Sequence, residues 1–301
     1  MYVVAGVSGH TGKVVAEMLL AQKKPVRVVV RDAAKGEAWK RQGAEVAVAD
    51  LGDTAALSRA LTSATAAYLL TPPNMAAVDY LSDRAQLLTH IVAAVKQSGL
   101  KHLVYLSSVG AQHPAGTGPI VTTHRAEQAL RGIAPSVTFI RASYFIENWG
   151  SVMPVAKAQG VLPHFGDVGY KFNQVSSRDI GEAATSALLN PVDGTRVVEL
   201  AGKEDWSADD VAATLSELLG KPVKAAGAPV TAAKAGLIAA GMPPGMAALY
   251  AEMYESMPKG LMAFEHLSTV TRGSTSLREA LKPLVALHDQ ERWSLHGGCQ
   301  A

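Results

Sequence analysis

The sequence predicts an α/β protein with a Rossmann-type, doubly wound parallel sheet and a smaller, mostly helical second domain. Short runs of β-branched residues alternate with longer segments of helical periodicity through the first half of the chain, which is typical of repeated strand–helix–strand units. A glycine-rich loop follows the first of these runs directly. The second half has a mostly helical pattern that glycine and proline interrupt.

The predicted strands of the first half are near-continuous apolar runs, as expected where helices cover both faces of a parallel sheet. They span residues 2–5, 26–30, 45–49, 66–70, 102–107 and 136–141, with a later strand at 196–200. Between them, apolar residues recur at helical spacing, as Ile91, Val92 and Val95 do in the longest segment. The helices predicted there span residues 12–22, 54–61, 78–98 and 122–132.

The pattern changes from about residue 147. A segment rich in glycine and proline is followed by a helix at 179–189, and after the strand at 196–200 come helices at 207–219, 231–240 and 244–257. We therefore expect a first domain over residues 1–150, to which 174–202 and 265–287 return. Residues 151–173 and 203–264 would form the smaller domain.

Methionines and aromatic residues are frequent in this smaller domain. They are able to line an adaptable apolar pocket, but their helical spacing favours an ordinary core. The residues in question are Met242, Met246, Met253, Met257, Met262, Tyr250, Tyr254 and Phe264.

Composition and charge exclude several function classes. The chain has 301 residues, and 28 Lys and Arg nearly balance 26 Asp and Glu, so no general field for nucleic acid or an anionic membrane is predicted. No apolar run reaches the roughly 18 residues that a membrane span needs. The single cysteine, Cys299, cannot form an internal disulfide or a Cys-x-x-Cys metal site. We expect a cytoplasmic location and no metal.

The glycine-rich loop predicts a dinucleotide site. Gly6, Gly9 and Gly12 lie between the first strand and the first helix, in a Gly-x-x-Gly-x-x-Gly variant of the dinucleotide-binding fingerprint. Glycines there allow a tight turn and a close approach of a pyrophosphate, whose charge the helix N-terminus stabilises. The alternative is a purely structural turn.

Arg31 favours NADP(H) over NAD(H). It ends the second strand, where an NAD-selective site places an acidic residue for the ribose hydroxyls. The arginine fork suits a 2′-phosphate, whereas Asp32 comes one position too late to face the ribose. The alternative is an exposed charged face, because other lysines and arginines lie nearby in the sequence.

None of the eight tyrosines belongs to a Tyr-x-x-x-Lys motif, in which the lysine lowers the tyrosine pKa for proton donation. Tyr144 comes nearest, but Asn148 stands in the lysine position. A hydride acceptor would therefore have to need little help from a general acid, and a quinone meets this condition because its reduction gives a delocalised oxyanion.

With these motifs the chain resembles the NmrA-like family of atypical short-chain dehydrogenases/reductases. Within that family it is close to the NAD(P)H:quinone oxidoreductases and to the azo and triphenylmethane dye reductases. The matching stretches cover nearly all of the first 150 residues, and the segment 272–287 is similar to the family's closing helix. The most family-specific mark is Arg141-x-x-x-Phe145-x-Glu147-Asn148. The matching stretches are residues 3–12, 28–32, 49–53, 103–110 and 141–148.

The resemblance implies a cofactor site along the carboxyl ends of the strands. It implies pyrophosphate contacts from the first loop, a 2′-phosphate contact from Arg31, adenine contacts after the third strand, and nicotinamide contacts after the fourth and fifth strands. For Ser107 and Ser108 the alternative is simple strand-end capping. The implied residues are Gly6, Gly9, His10, Thr11, Gly12, Arg31, Asp50, Leu51, Leu70, Thr71, Pro72, Ser107 and Ser108.

The resemblance also implies candidate catalytic residues. Family members often carry Lys or His four residues before a helical glutamate, here Glu127, but that position is Thr123 and His124 comes one residue later. His124 either takes the catalytic role from a slightly shifted helix or packs. Tyr144 and Asn148 are the further catalytic candidates and Phe145 the substrate contact, with packing at the strand exit as the alternative.

The sequence therefore predicts an NADP(H)-dependent oxidoreductase that transfers hydride to a quinone-like or azo-type acceptor. The alternative is a non-catalytic NADP(H)-binding redox sensor, since the missing Tyr-x-x-x-Lys fits a sensor as well. An epimerase or a reductase of hydroxylated substrates would need a stronger acid and base pair than the sequence offers. The expected partner is a small aromatic or quinonoid molecule, with neither nucleic acid nor membrane, and the expected assembly is a monomer or homodimer.

Overall fold

The computed structural model describes residues 1–287, and its main feature is a sheet of eight parallel strands. The strands of the chain are β1 (Tyr2–Val4), β2 (Val26–Val30), β3 (Glu45–Val48), β4 (Ala66–Leu69), β5 (His102–Ser108), β6 (Ser136–Ala142), β7 (Tyr144–Phe145), β8 (Val161–Phe165), β9 (Phe172–Val175), β10 (Gly194–Ala201), β11 (Asp205–Trp206), β12 (Lys224–Ala228) and β13 (Thr271–Arg272). The eight strands follow the order β13-β10-β6-β5-β4-β1-β2-β3. Helices cover this sheet, so the predicted Rossmann-type fold class is confirmed.

The helices follow the strands in the alternation that the sequence predicts. They are α1 (His10–Ala21), α2 (Ala33–Arg41), α3 (Thr54–Leu61), α4 (Tyr80–Ser98), α5 (Val121–Leu130), α6 (Met153–Gln159), α7 (Ser177–Leu189), α8 (Ala208–Leu219), α9 (Ala233–Ala239), α10 (Pro244–Ser256) and α11 (Leu277–Leu287). Short 3₁₀ segments lie at Gly118–Ile120, Ile146–Val152, Val230–Ala232 and Leu267–Thr269. Every helix and strand predicted above is present, with ends that differ by one or two residues.

The strand order creates a crevice at the carboxyl edge of the sheet. β1 pairs with β2 on one side and with β4 on the other, so the chain winds in opposite directions from β1. At such a reversal the connections that leave neighbouring strands diverge and open a gap at the carboxyl edge. The loops after β1, β4 and β5 all reach this edge, and most of the predicted site residues lie in these loops or directly beside them.

A large apolar core lies between the main sheet and its helices. The largest of its fully buried side chains come from the central strands, where Tyr105 of β5 meets Phe139 of β6 edge to face at 6.3 Å between ring centroids. Because β4, β5 and β6 are buried along almost their whole length, they appear in the sequence as continuous apolar runs.

A second apolar cluster forms around Trp149, Met153 and Trp206, with residues of α6, α8 and α11. Leu281 and Leu284 of α11 belong to it. Two small sheets accompany the cluster, one of the order β11-β9-β7 and one that pairs β12 with β8. The domain boundaries at 150, 173, 202 and 264 stay a prediction.

Helix α2 was not predicted from the sequence. Of its nine residues only Gly36 and Trp39 are buried, so it shows no apolar stripe. A side chain at Gly36 would have its Cβ 2.4 Å from Val46 of β3, which explains a glycine inside a helix. The clearest signal was Asp32, whose carboxylate accepts a hydrogen bond from the backbone N–H of Ala34 and caps α2.

Within residues 1–287 no helix is long and apolar enough to cross a membrane. Cys299 lies outside the described residues.

The loop between β5 and α5 depends on glycine. Gly110, Gly116 and Gly118 have φ values of 88°, 82° and 60°, a region that other residues rarely adopt. Helix α10 and the segment after it pack directly on this loop. An added Cβ at Gly118 would lie 2.0 Å from the Leu249 carbonyl oxygen of α10, and one at Gly110 would lie 2.8 Å from Met262 Sδ.

We expect Gly118→Ala to destabilise the protein more than Gly99→Ala does. Gly99 has a similar φ of 66°, but nothing lies within 4 Å of an added Cβ, so this control isolates the backbone strain of about 1–2 kcal/mol. The contact with Leu249 should add about 1–3 kcal/mol at Gly118. Urea unfolding of both variants measures the difference, and equal losses would show that α10 does not press on this loop.

Candidate functional site

The first loop forms an anion-binding turn at the crevice. Gly9 is the N-cap of α1 and no side chain caps this helix, so the first-turn N–H groups can bind an anion. Gly6 has a φ of 71°, and its added Cβ would lie 2.7 Å from Leu70 Cδ2. An added Cβ at Gly12 would lie 2.4 Å from the Ala5 carbonyl oxygen. The fold itself therefore requires Gly6 and Gly12.

Gly9 differs from the other two glycines. Its φ of −101° is one that any residue adopts, so backbone strain does not explain its identity. Space for a ligand beside the helix N-terminus would explain it.

Thr11 turns its hydroxyl towards the sheet. The phenol of Tyr68 in β4 donates a hydrogen bond to Thr11 Oγ1 at 2.9 Å, and both side chains are buried. Burial raises the pKa of Tyr68 above its ordinary value, although the hydrogen bond to Thr11 acts against the shift. The phenol therefore stays protonated. The backbone N–H groups of His10 and Thr11 lie in the uncapped first turn of α1 and are available to a ligand.

The end of β2 offers a free cation. Arg31 is exposed, while the carboxylate of Asp32 is engaged in capping α2. Asp50, after β3, accepts a hydrogen bond from the Gly52 N–H at 2.7 Å in a tight turn. Leu51 packs against the main core. The cap directs Asp32 towards the start of α2, whereas Arg31 is exposed and so available to a ligand.

The segment after β4 is anchored on both sides. Thr71 Oγ1 and the Tyr105 hydroxyl are 2.5 Å apart, and Arg84 of α4 donates a hydrogen bond to the Pro72 carbonyl. Further along, the Asn74 amide donates to Asp83 at 3.2 Å. These contacts hold the predicted nicotinamide residues Leu70, Thr71 and Pro72 at the crevice beside the first loop.

Ser107 and Ser108 end β5, and both hydroxyls are engaged. Ser107 Oγ donates to Glu127 Oε1 of α5 at 2.6 Å, and Ser108 Oγ donates to the Val109 carbonyl at 3.0 Å. Glu127 is buried against Arg141 of β6, which donates to both of its carboxylate oxygens. Strand-end capping therefore describes Ser108, whereas Ser107 belongs to a buried charged network.

His124 lies beside the same strand end. Its Nδ1 is 2.8 Å from the Ala111 carbonyl oxygen, and since a carbonyl only accepts, Nδ1 carries the hydrogen. Nε2 is then the nitrogen that can bind or release a proton. His124 and Glu127 are three residues apart in α5 and so share one face of this helix.

The segment after β6 carries the remaining candidates. Tyr144 is half-buried and meets Phe172 edge to face at 5.3 Å, while Phe145 packs against the main core. Asn148 is half-buried in the 3₁₀ segment Ile146–Val152. Glu147 binds the start of α7 by accepting from the N–H and the hydroxyl of Ser177.

Several apolar residues predicted as pocket or core have definite contacts. Met246 and Met253 of α10 are buried, which fits an ordinary core. Tyr250 donates a hydrogen bond at 3.9 Å to the sulfur of Met75, which lies in the loop after β4. Tyr254 packs on Phe165 of β8, with 5.6 Å between the ring centroids. Phe165, Tyr254 and Tyr250 thus form a wall of neighbouring aromatic rings, and Tyr250 at its end contacts Met75.

In the described part of the chain, no three histidine, cysteine, aspartate or glutamate residues are grouped so that they could hold a metal ion.

Sequence reasoning missed the partners of Ser107. Glu127 and Arg141 were noted only as marks of the family resemblance, and Glu199 and Glu265 were not singled out. The available signal was a charged residue inside an otherwise apolar strand, as in Arg141 of β6 and Glu199 of β10, both of which are buried.

Comparisons with known proteins agree with this geometry. The chain is 27% identical to an NAD(P)H azoreductase of Xenophilus azovorans over 266 residues, which are 87% of this chain and 89% of the relative. It is 27% identical to quinone oxidoreductase 2 of Escherichia coli over 298 residues, with coverage of 96% and 100%. The crystal structure of an NADPH-dependent quinone oxidoreductase from Escherichia coli with NADPH superposes with a TM-score of 0.78 at 27% identity, covering 94% of this chain and 99% of that chain.

The sequence profile of the NmrA-like family matches residues 2–272, which include the glycine loop, the Ser107 network and the segment after β6. The chain therefore belongs to the NmrA-like family.

Proposed function

We propose that this protein is an NADP(H)-dependent oxidoreductase that transfers hydride to a quinone-like or azo-type acceptor. The observation that carries the proposal is the N-terminus of α1, which no side chain caps and which opens into the crevice between β1 and β4. Relatives named as an azoreductase and a quinone oxidoreductase support it, as does the neighbouring structure that contains NADPH.

The residues of the crevice fit the two halves of the cofactor. Backbone N–H groups of His10, Thr11 and Gly12 would bind the pyrophosphate, and Gly9 leaves space for it. Arg31 would bind the 2′-phosphate, and Asp50 and Leu51 would flank the adenine. Leu70, Thr71, Pro72, Ser107 and Ser108 would surround the nicotinamide half. When bound, the cofactor supplies the hydride.

The acceptor would lie between the nicotinamide half and the segment after β6. Phe145, Tyr144 and the wall of Phe165, Tyr250 and Tyr254 suit a flat aromatic molecule. His124 would hold a proton on Nε2 for the reduced acceptor, and Asn148 would orient it by hydrogen bonding. Residues 151–173 and 203–264 would act as the lid that keeps water from the site.

We expect Gly9→Val to abolish NADP⁺ binding without loss of stability. The branched side chain would occupy the space beside the helix N-terminus, and the φ of −101° accommodates valine. Gly12→Ala is the matched control, because its Cβ would meet the Ala5 carbonyl and lower the melting temperature. Calorimetric titration and thermal unfolding measure both properties. Normal NADP⁺ affinity in the Gly9 variant would show that the loop is a structural turn and not a cofactor site.

We expect Arg31→Glu to remove the preference for NADP⁺ over NAD⁺. Loss of a charge-assisted contact to the 2′-phosphate should weaken NADP⁺ at least tenfold and leave NAD⁺ little changed. Arg41→Glu, an equally exposed arginine in α2, controls for the general loss of positive charge. Titration of both nucleotides by intrinsic fluorescence gives the ratio. If the two variants behave alike, Arg31 makes no specific contact.

The hydride transfer itself is tested by NADPH oxidation with a panel of quinones and azo dyes. We expect His124→Ala to lower kcat by roughly 10²–10⁴-fold with azo acceptors and less with quinones, whose oxyanion is delocalised. His90→Ala, an exposed histidine that contacts Thr54, should change nothing. NADP⁺ binding without turnover by the unchanged protein would favour the redox sensor. Loss below about threefold for every acceptor in the His124 variant would assign that histidine to packing.

A further inference from the structure

A row of polar side chains crosses the middle of the main sheet near its carboxyl edge. Ser107 of β5 is in register with Arg141 of β6, and Arg141 is in register with Glu199 of β10. All three are buried, with exposures of 3%, 4% and 4%. Burying charge in an apolar sheet costs free energy, and even a paired charge contributes little stability in return. This row therefore calls for an explanation other than stability.

Glu127 of α5 is the centre of the hydrogen bonds around this row. Its Oε1 accepts from Arg141 Nε at 2.9 Å and from Ser107 Oγ at 2.6 Å, and its Oε2 accepts from Arg141 Nη2 at 2.7 Å. Arg141 Nη1 donates outwards to Glu265 at 2.7 Å. Burial alone would lower the pKa of Arg141, but the hydrogen bonds and charges of Glu127 and Glu265 raise it above its ordinary value.

This arrangement fixes the direction of the hydrogen bond between Ser107 and Glu127. A carboxylate paired with a charged guanidinium has no hydrogen to give, so it only accepts. The single hydroxyl hydrogen of Ser107 is therefore committed to Glu127. Only lone pairs remain on Ser107 Oγ, so any other hydrogen-bond partner of this oxygen has to be a donor. Ser108 has the same polarity, because its hydroxyl donates to the Val109 carbonyl.

The other members of the network face away from Ser107. Glu199 accepts from the backbone N–H groups of Glu265 and His266, at 2.6 Å and 2.8 Å, and so holds the segment after α10. Glu265 is the exposed end of the network, since its side chain is 46% accessible. Among the described residues of this network, Glu127 is the one that accepts the hydrogen bond of Ser107, whose strand end lies at the crevice.

We infer that Glu127 is a positioning residue, which fixes the Ser107 hydroxyl as a hydrogen-bond acceptor and so selects a hydrogen-bond donor on the nicotinamide half of the cofactor. The inference rests on the proposed function, because it takes the end of β5 as the place of that half. Glu127 acts through Ser107 and touches neither cofactor nor acceptor. Its effect should therefore disappear when Ser107 has no hydroxyl.

Calorimetric titration with two probes, NADP⁺ and adenosine 2′,5′-bisphosphate, tests the inference. The second probe lacks the nicotinamide half and reports on the fold and on the adenosine half alone. We expect Ser107→Ala and Glu127→Gln each to weaken NADP⁺ by about tenfold, the loss of one hydrogen bond, with the bisphosphate within about twofold of the unchanged protein. The double variant should bind NADP⁺ no more weakly than Ser107→Ala does.

Glu265→Gln is the matched control for general loosening of the network. It also removes a partner of Arg141 but does not contact Ser107, so NADP⁺ affinity should stay within about twofold of the unchanged protein. If Glu127→Gln fails to bind the bisphosphate, Glu127→Asp replaces it. That variant keeps the charge opposite Arg141 but is one methylene too short to hold Ser107, and the same selective loss is expected.

Three results would overturn the inference: additive losses in the double variant, equal weakening by Glu265→Gln, or an unchanged NADP⁺ affinity in Ser107→Ala. These outcomes are separate from the fate of the proposed function. If the protein binds NADP⁺ but oxidises NADPH with none of the acceptors, the proposed activity is wrong. The NADP⁺ affinities of the single and double variants still decide the role of Glu127. A protein that binds NADP⁺ no more tightly than the bisphosphate overturns the inference directly.

Discussion

The buried ion pair between Arg141 and Glu127 is the interaction on which the arrangement of the candidate site depends. It joins β6 to α5, and through Ser107 and Glu265 it reaches β5 and the segment after α10. Removing one partner of such a pair leaves an uncompensated buried charge, at a cost of about 3–5 kcal/mol. The intact pair adds little net stability, because the cost of desolvating both charges offsets most of their attraction. Its evident consequence is orientation, since it fixes the hydrogen bonds at one strand end.

Close backbone packing is the second constraint at this edge of the sheet. Gly6 and Gly12 allow the first loop to fold back on β1. Gly118 allows the loop between β5 and α5 to approach the Leu249 carbonyl of α10. Each contact removes the room for a Cβ, so these loops offer ligands mainly backbone groups. Side-chain chemistry must then come from a few positions between them, and His124 and Ser107 are two of the polar ones.

The sequence predicted what depends on local pattern. Strands β4 to β6 are buried on both faces and appear as continuous apolar runs, and the glycine loop lies in consecutive positions after β1. Helix α2 escaped prediction because Trp39 is its only large buried side chain, and β7 and β11 escaped because each spans only two residues. The charged network escaped for another reason. Arg141 and Glu265 are 124 positions apart, and no periodicity links them.

The same geometry limits the kind of acceptor that the proposed reaction can use. Two phenols of the main core, Tyr68 and Tyr105, contact residues at the edge of the crevice, but burial raises their pKa values, which makes both weaker acids. Their hydroxyls are also engaged, by Thr11 and Thr71 respectively. Neither can replace the activated tyrosine of a Tyr-x-x-x-Lys site, where a neighbouring cation lowers the pKa. An acceptor that delocalises its own negative charge removes this demand, because protonation can follow hydride transfer instead of accompanying it. Quinones have this property, whereas an isolated carbonyl does not, and an azo acceptor depends more on a proton donor such as His124.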